Sequence, residues 1–319
     1  VEPDTLNSAP VMKALRSIAV PMLIMMFTNI GFSYLDILYV SRLGEDALNA
    51  LDICFPLVNL CSAVVYGGLG TGVSAAIARR HAVGDDGASE SSLKAGLLLA
   101  IPLSLLFTLP ILLCKEYLFK EARSSISREM AYEYCFWYFL FIILMTLGAV
   151  ASSAMRGSGN AKRPAIYSLI CMALNAVLTP LFCFSSINLG FIELGGLDMG
   201  VKGAAISTVI AYTVFSLMLF SELFLSSVGL KISSFKLNFE KSIFKNILSA
   251  SLIAALMPMM SNIVIVFVLK MMSERSDAML DAFSLAKRFE LYLIQLSVCL
   301  GAGSMVVIGA SHAIGNSQR

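Results

Sequence analysis

The sequence predicts an all-α integral membrane protein made of two related halves. Hydrophobic residues account for 58% of the 319 residues and charged residues for only 14%, whereas a soluble domain carries roughly 25% charged residues. The apolar residues fall in long runs, and several runs reach the ~20 residues that a membrane-spanning helix needs. A stretch near the start of the chain is also echoed near its end.

The echoed stretch is GLGTGVSAAIARRHAVGD at residues 68–85, which returns as CLGAGSMVVIGASHAIGN at residues 299–316. Gly70 corresponds to Gly301 and Gly84 corresponds to Gly315, and both pairs are separated by the same number of residues. This separation between the two copies is too long for the repeat unit of a solenoid protein. Repeats of this kind in an apolar chain are typical of secondary transporters, which place substrate and ion sites near the interface of the repeats. We expect a complete first half and a second half that stops early.

Eight apolar segments are expected to cross the membrane as helices, because a helix satisfies its own backbone hydrogen bonds in lipid. Lysines and arginines concentrate at one set of helix ends, which predicts that this side and the N-terminus face the cytoplasm. We therefore expect a multi-pass protein of the inner (plasma) membrane. The predicted spans are 15–40, 51–78, 92–114, 131–155, 163–186, 201–226, 244–271 and 280–311.

Three domains follow from the spans and the repeat. Residues 1–230 form the first lobe, and residues 246–319 contribute the first two helices of the second lobe. Residues 231–245, KISSFKLNFEKSIFK, are the longest basic and amphipathic connector. This connector is either an interfacial linker helix or an ordinary positively charged loop.

Several functions are excluded or disfavoured. The net charge of +2 is small and dispersed, so we expect no nucleic-acid partner. The sequence contains no nucleophile–base pattern and no H-E-x-x-H motif, so we expect neither an enzyme, nor a metal site, nor an organic cofactor. The glycines at 67–72 lack the Lys-Ser/Thr of a phosphate-binding loop, and close helix packing is the better interpretation.

Asp36 is the sharpest candidate for chemistry because it lies inside the first predicted span. A carboxylate at membrane depth is costly, so it usually faces a cavity and binds a cation or a proton. The alternative is that Asp36 lies near the outer interface and is simply hydrated. In the same span Pro21 removes a backbone hydrogen bond, and the resulting kink is either a hinge or a packing feature.

Asn175 and Thr179 lie four residues apart in the fifth span and therefore share one helix face. They can supply neutral oxygens to a cation or bond to a neighbouring helix. Ser207 and Thr208 in the sixth span are weaker candidates.

A second group of residues is expected to line a substrate cavity. Asn29 in MFTNI and Asn262 in MMSNI occupy matching positions of the repeat. Arg288 and Glu290 enter the eighth span, with Gln295 deeper; the alternative for Arg288 and Glu290 is an interfacial ion pair.

These motifs together resemble the multidrug and toxic compound extrusion family. Its first two helices typically carry a proline, then an aspartate before a V-G-R-L-G-like turn, then F-P; here these are Pro21, Asp36, VSRLG at 40–44 and FP at 55–56. MRGSGNAKRP at 155–164 resembles the family's cytoplasmic R-G-x-G-x-x-x-x-P turn, and AKRFELYLIQLSVCLGAG at 286–303 resembles its eighth helix.

The resemblance implies twelve helices in two pseudosymmetric six-helix lobes, of which this chain holds one lobe and two further helices. It also implies Na⁺- or H⁺-coupled export of amphipathic, often cationic, compounds. Related members often carry a second aspartate where this chain has Thr179, and another branch often has a glutamate near Asn262. Asp36 would then be the main ionisable group of the first lobe's cation site.

The sequence thus predicts a monomeric cation-coupled antiporter that exports amphipathic organic compounds or drugs by alternating access. Asp36 would bind the coupling H⁺ or Na⁺ with Asn175 and Thr179, and Pro21 would act as the hinge. One alternative is a lipid-linked oligosaccharide flippase, although few lysines or arginines line the expected cavity. The other is a membrane receptor or scaffold that transports nothing.

Overall fold

The computed structural model describes residues 10–120, 122, 124–188, 193–225, 230 and 241–273, together with 16 separate positions between 286 and 312. In these parts the chain is helical apart from one short antiparallel hairpin, in which Ile187 of β1 lies opposite Leu194 of β2. The helices of the first half are α1 (Val11–Val40), α2 (Glu45–Ser62), α3 (Thr71–His81), α4 (Asp86–Leu113), α5 (Lys115–Leu118), α6 (Ser125–Leu140), α7 (Ile142–Gly157), α8 (Lys162–Cys183) and α9 (Gly200–Leu225). They are followed by α10 (Lys241–Ser273), and the hairpin strands are β1 (Ser186–Asn188) and β2 (Glu193–Gly195).

Two helices are joined to their neighbours without a loop. A 3₁₀ turn at Ser41–Leu43 follows α1, and a π-helical segment at Ala63–Gly70 connects α2 to α3. Together α2, this segment and α3 form a single apolar span, Glu45–His81. π-Helical turns widen a helix and frequently occur at functional sites.

Six helical stretches in the described residues are long and apolar enough to cross a membrane, and a seventh forms if the bent pair α6 and α7 counts as one span. These seven confirm the positions of the first seven predicted spans. The fourth differs in shape, because α6 and α7 meet at an angle of 50°. The break falls at Phe141, whose φ of −102° and ψ of 9° depart from helical values.

Several boundaries also differ from prediction: the third span begins at Asp86 rather than at residue 92, and the fourth begins at Ser125 rather than at residue 131. The second span begins at Glu45 rather than at residue 51, since Gly44 with a φ of +115° ends the preceding turn. The fifth ends at Cys183, before β1. The eighth predicted span lies mostly outside the described residues, which include an apolar helical run at Cys299–Gly309. Most of the predicted linker, 231–240, lies outside them as well.

In the described residues the helices bury two large apolar clusters and a smaller one around Ile18 and Val306, and they leave other apolar side chains exposed on the outer surface. One large cluster contains Ile77, Leu93 and Phe215, and the other large cluster contains Leu51 and Phe139. The outward surface carries large exposed apolar side chains, as a lipid-facing surface should. Examples are Phe27, Leu106, Leu217, Leu252 and Phe267.

Close helix packing at the glycine cluster is confirmed. A Cβ at Gly68 would lie 2.8 Å from Ala255 Cβ, and a Cβ at Gly72 would lie 2.9 Å from the carbonyl oxygen of Ile247. Ile247 and Ala255 belong to α10, so this helix packs tightly against the π-helical segment and α3. The first helix after the predicted lobe boundary therefore contacts the first half through glycines.

Candidate ion and substrate site

Asp36 lies near the end of α1 and is buried, with 3% of its surface exposed. Its Oδ2 accepts a hydrogen bond from the Tyr134 hydroxyl of α6 at 3.1 Å. The Thr208 hydroxyl of α9 lies 3.4 Å from each carboxylate oxygen. The carboxylate is therefore held between three helices, and the interpretation of Asp36 as a hydrated interfacial residue is wrong.

The amide of Asn175 extends this network into α8. Its Nδ2 donates to Thr208 Oγ1 at 3.1 Å, so Thr208 accepts from Asn175 while it donates to Asp36. Asn175 is fully buried, and its Oδ1 has no hydrogen-bond partner among the residues that the structure describes. A buried acceptor without a partner is costly, which makes it a candidate ligand for an ion or a water molecule.

Thr179 lies one turn beyond Asn175 on the same face of α8, as the spacing predicts. It bonds to Ser207 rather than to Asp36: the two hydroxyl oxygens are 2.8 Å apart, and Ser207 in turn donates to the carbonyl of Ala204. The structure thus places Asn175 in the network of Asp36 and places Thr179 in a neighbouring contact between α8 and α9.

The hydrogen-bond partners of Asp36 in the described part of the chain are all neutral hydroxyls, and no lysine, arginine or histidine there forms an ion pair with it. A carboxylate offers about four lone-pair positions, and a buried charge without a counter-ion is unfavourable. Carboxylate, amide and hydroxyl oxygens are the ligands that hard cations prefer. The arrangement can therefore take up a small cation or a proton.

A small cleft lies along the same face of α1. Asn29, Phe32 and Asp36 follow one another at helical spacing and so share one side of α1, on which Phe32 and Asp36 are buried and Asn29 is exposed. The Tyr212 hydroxyl of α9 donates to Asn29 Oδ1 at 3.1 Å, and the rings of Phe32 and Tyr212 stack with centroids 4.9 Å apart. The remaining lining residues are Met25, Tyr66, Ser168, Cys171 and Phe215. The cleft is thus mainly aromatic and apolar, with a few polar groups.

The other predicted site residues fall into two groups. Pro21 is buried within α1, which continues as a helix through it from Val11 to Val40. Asn262 lies on α10, but its side chain is outside the described residues, and so are Arg288, Glu290 and Gln295. Their assignment to the cavity stays a prediction.

Sequence reasoning missed Tyr134 and gave too little weight to Thr208. A tyrosine within the aromatic run YEYCFWYF is typical of a residue that packs in an apolar core, and a threonine in an apolar helix has many possible hydrogen-bond partners. The useful signal would have been which helices neighbour α1. Asp36 requires donors from those helices, and α6 and α9 supply them.

Comparisons with known proteins agree with this architecture. Residues 21–181 match the MatE family. A FAD transporter of Shewanella oneidensis is 28% identical over 180 residues, which are 56% of this chain and 40% of that protein. The match therefore spans less than half the length of this curated relative.

Two solved structures show the same fold over the whole chain. One is a MOP superfamily transporter from Pyrococcus furiosus, whose description states that the reverse polarity of its binding pocket suggests a different function. It is 26% identical to this chain, with a TM-score of 0.87. The match covers 100% of this chain and 68% of that one. The other is a MATE protein in its straight conformation, 26% identical with a TM-score of 0.86 over 100% of this chain and 69% of that one. The family match over half of the chain and this helical architecture lead to one conclusion: the chain belongs to the MatE family of membrane transporters, which are not enzymes.

Proposed function

We propose that this protein is a cation-coupled antiporter that exports amphipathic organic compounds by alternating access. The observation that carries the proposal is the buried carboxylate of Asp36, which among the described residues is bonded only by neutral hydroxyls. A carboxylate in this position binds its charge partner from solution, and transporters use such groups to couple ion movement to substrate movement. The coupling ion is H⁺ or Na⁺.

The ion site consists of Asp36 with the unpartnered Oδ1 of Asn175 and the hydroxyl of Thr208 nearby. Arrival of a cation changes the charge of a network that joins α1, α6, α8 and α9. A ligand shifts a conformational equilibrium only through its different affinity for the two states. We propose that α1 is the element that responds, with Pro21 as its hinge, because α1 carries both Asp36 and the substrate-facing residues Asn29 and Phe32.

Thr179 has a secondary place in this scheme. Its bond to Ser207 fixes α8 against α9 and so orients Asn175 toward Thr208. We therefore propose that it positions the ion site rather than binds the ion. This revises the expectation that Thr179 is a direct ligand.

The cleft beside Asp36 is the proposed substrate site of the first half. Its volume is only about 10 Å³ in this structure, so a substrate enters after the cleft widens; its aromatic lining then suits a planar aromatic group, and methionine is adaptable to several ligand shapes. The relative from Shewanella oneidensis is a FAD transporter, so flavins are the first compounds to test. We further propose that the protein acts as a monomer in the inner membrane with its N-terminus in the cytoplasm.

The test is transport by the full-length protein in proteoliposomes under imposed Na⁺ or H⁺ gradients, with riboflavin and FMN as flavin substrates and rhodamine 6G as a cationic one. Wild type should move at least one compound when one of the two gradients is applied. Asp36→Asn should insert normally but should lose the dependence on the gradient. Gradient-driven transport that persists in Asp36→Asn would contradict the proposed coupling. Binding without transport in the wild type would favour a receptor instead.

A further inference from the structure

The last turn of α7 carries a buried arginine, Arg156, that has no counter-ion among the described residues. Only 8% of its surface is exposed. Its Nη1 donates to Ser152 Oγ at 2.7 Å and its Nη2 donates to Ser153 Oγ at 2.7 Å. No carboxylate forms an ion pair with Arg156 in the part of the chain that the structure describes.

The two serines satisfy only part of this side chain. A guanidinium carries five N–H donors and a full positive charge, whereas serine hydroxyls are neutral acceptors. Burial of a charge without an opposite charge is unfavourable. Both serines are themselves fully buried on the same helix, at i−4 and i−3, so they direct the guanidinium back along α7. An arginine near a helix end would otherwise extend toward the aqueous interface.

The position of Arg156 relative to the cleft gives this charge a functional context. Ser153, which accepts from Nη2 of Arg156, lies against Gly70 of the π-helical segment, and Tyr66 lies about one turn earlier in the same segment. Tyr66 also lines the aromatic cleft. A serine that holds Arg156 therefore packs against the same π-helical segment that supplies Tyr66 to the cleft.

The residues that cover this region explain why Arg156 is occluded. A Cβ at Gly70 of the π-helical segment would lie 2.6 Å from Ser153 Oγ, so this segment closes directly over the serines. The same segment is packed against α10 at Gly68 and Ala255. Separation of the two halves would uncover one side of the segment and open a path to the guanidinium.

We propose that Arg156 binds an anionic group, a phosphate or carboxylate, of the transported compound. This inference rests on the proposed function, since it names the charge of the exporter's substrate. The cleft has a cavity volume of only about 10 Å³ in this structure, room for about one water molecule, so the ring of the compound enters it only when the two halves separate. The anionic group then reaches the guanidinium, whose planar fork of donors suits an acceptor with two oxygens. In the predicted orientation α7 ends at the cytoplasmic side, where an exporter collects its substrate. An anionic group on the substrate departs from the expectation of amphipathic, often cationic, compounds.

Arg163 provides a matched control for Arg156. It lies in the first turn of α8, its side chain is 52% exposed, and it already pairs with Glu222 at 3.1 Å. Its charge is therefore both solvated and neutralised. If an anion were attracted by general positive charge at this end of the helices, both arginines would contribute; if it is bound at the buried site, only Arg156 will.

The test is equilibrium binding of FMN and riboflavin to the purified full-length protein, because these two flavins differ by one phosphate group. Wild type and Arg163→Gln should bind FMN about tenfold more tightly than riboflavin, as expected for a charge-assisted contact. Arg156→Gln should lose about that factor for FMN while its affinity for riboflavin stays within about twofold, and Arg156→Lys should be intermediate. Equal binding of the two flavins by wild type, absence of binding, or an FMN preference that survives Arg156→Gln would overturn the proposal.

A second measurement covers the case in which Arg156→Gln does not fold. Inorganic phosphate should then displace FMN from the wild-type protein without displacing riboflavin; displacement of both or of neither would overturn the anionic site. Failure of the proposed antiport is a separate result, because the preference for FMN over riboflavin is measured at equilibrium without any ion gradient. Asp36→Asn should keep that preference even where it abolishes coupled transport.

Discussion

Two aspartates on consecutive helices, Asp36 and Asp46, each lie within hydrogen-bonding distance of two hydroxyl groups. Asp46 lies in the first turn of α2, is half-buried, and its Oδ1 accepts from Ser124 at 2.6 Å and from Ser127 at 2.7 Å. Asp36 is buried, and its partners are farther away, at 3.1 Å for Tyr134 and 3.4 Å for Thr208. The same chemical group thus has short contacts at the edge of the bundle and long contacts inside it.

The difference fits the proposed roles, a structural carboxylate at Asp46 and a cation-binding one at Asp36. Ser124 also caps α6 by accepting from the Ser127 backbone N–H, so Asp46 fastens α2 to the start of α6. The longer contacts of Asp36 leave it capacity for another ligand in a region where a charge needs one. The number of hydrogen bonds therefore says less about role than their length and surroundings do.

The largest effect is expected from neutralising each aspartate in turn. Asp36→Asn should abolish gradient-driven transport because the amide can bind neither a proton nor a cation at useful strength. Asp46→Asn should transport at nearly the wild-type rate, since its hydroxyl contacts can be kept by the remaining carbonyl oxygen. Initial rates in proteoliposomes at equal protein density measure both. Equal losses in the two variants would break the distinction between them.

The hydroxyl partners of each aspartate provide the next effect. Thr208→Val keeps the shape of the side chain but removes the link between Asp36 and Asn175, so the affinity for the coupling cation should fall about tenfold, or about 1.4 kcal/mol. Ser127→Ala, beside Asp46, should leave that affinity unchanged. The cation concentration that gives half-maximal transport is the measurement. An unchanged value in Thr208→Val would remove Thr208 from the ion site.

Proline substitution tests whether α1 is the moving element. Pro21→Ala should slow transport by about threefold to tenfold, which corresponds to about 1 kcal/mol in the barrier, while cation affinity at Asp36 stays the same. Pro102→Ala serves as the control because Pro102 lies on α4, which contributes no bond to the ion site. A purely packing role for Pro21 would instead appear as lower stability with normal turnover.

The smallest effect is expected at the cap that holds Asp46. Ser124→Ala removes both the N-cap of α6 and one hydroxyl contact to Asp46, so it should lower the free energy of unfolding by about 1 kcal/mol. Transport per folded molecule should not change. A thermal-shift assay in detergent together with transport rates gives both numbers. A loss of transport without a loss of stability would assign Asp46 a functional role as well.

Sequence reasoning located Asp36 because a carboxylate within a long apolar run conflicts with its surroundings, and it paired Asn175 with Thr179 because helical spacing puts them on one face. It also read the glycine cluster correctly as a packing surface. These inferences depend on local pattern alone. The first seven spans follow from hydropathy in the same way.

The features that sequence reasoning missed depend on contacts between distant segments. Tyr134 and Thr208 become partners of Asp36 only because α6 and α9 neighbour α1, and no periodicity encodes this. Thr179 bonds to Ser207 for the same reason. The bend at Phe141 and the π-helical segment at Ala63–Gly70 are backbone departures that apolar composition does not reveal. That Arg156 has no acidic partner among the described residues likewise becomes visible only in the fold.

The most direct test of the central claim is equilibrium binding of the coupling cation to the purified full-length protein, without substrate or gradient. Binding of radioactive Na⁺ and uptake or release of protons would be compared among wild type, Asp36→Asn and Asp46→Asn. We predict that wild type and Asp46→Asn bind the cation equally and that Asp36→Asn loses this site. Cation binding that is retained in Asp36→Asn would contradict the assignment of the ion site to Asp36.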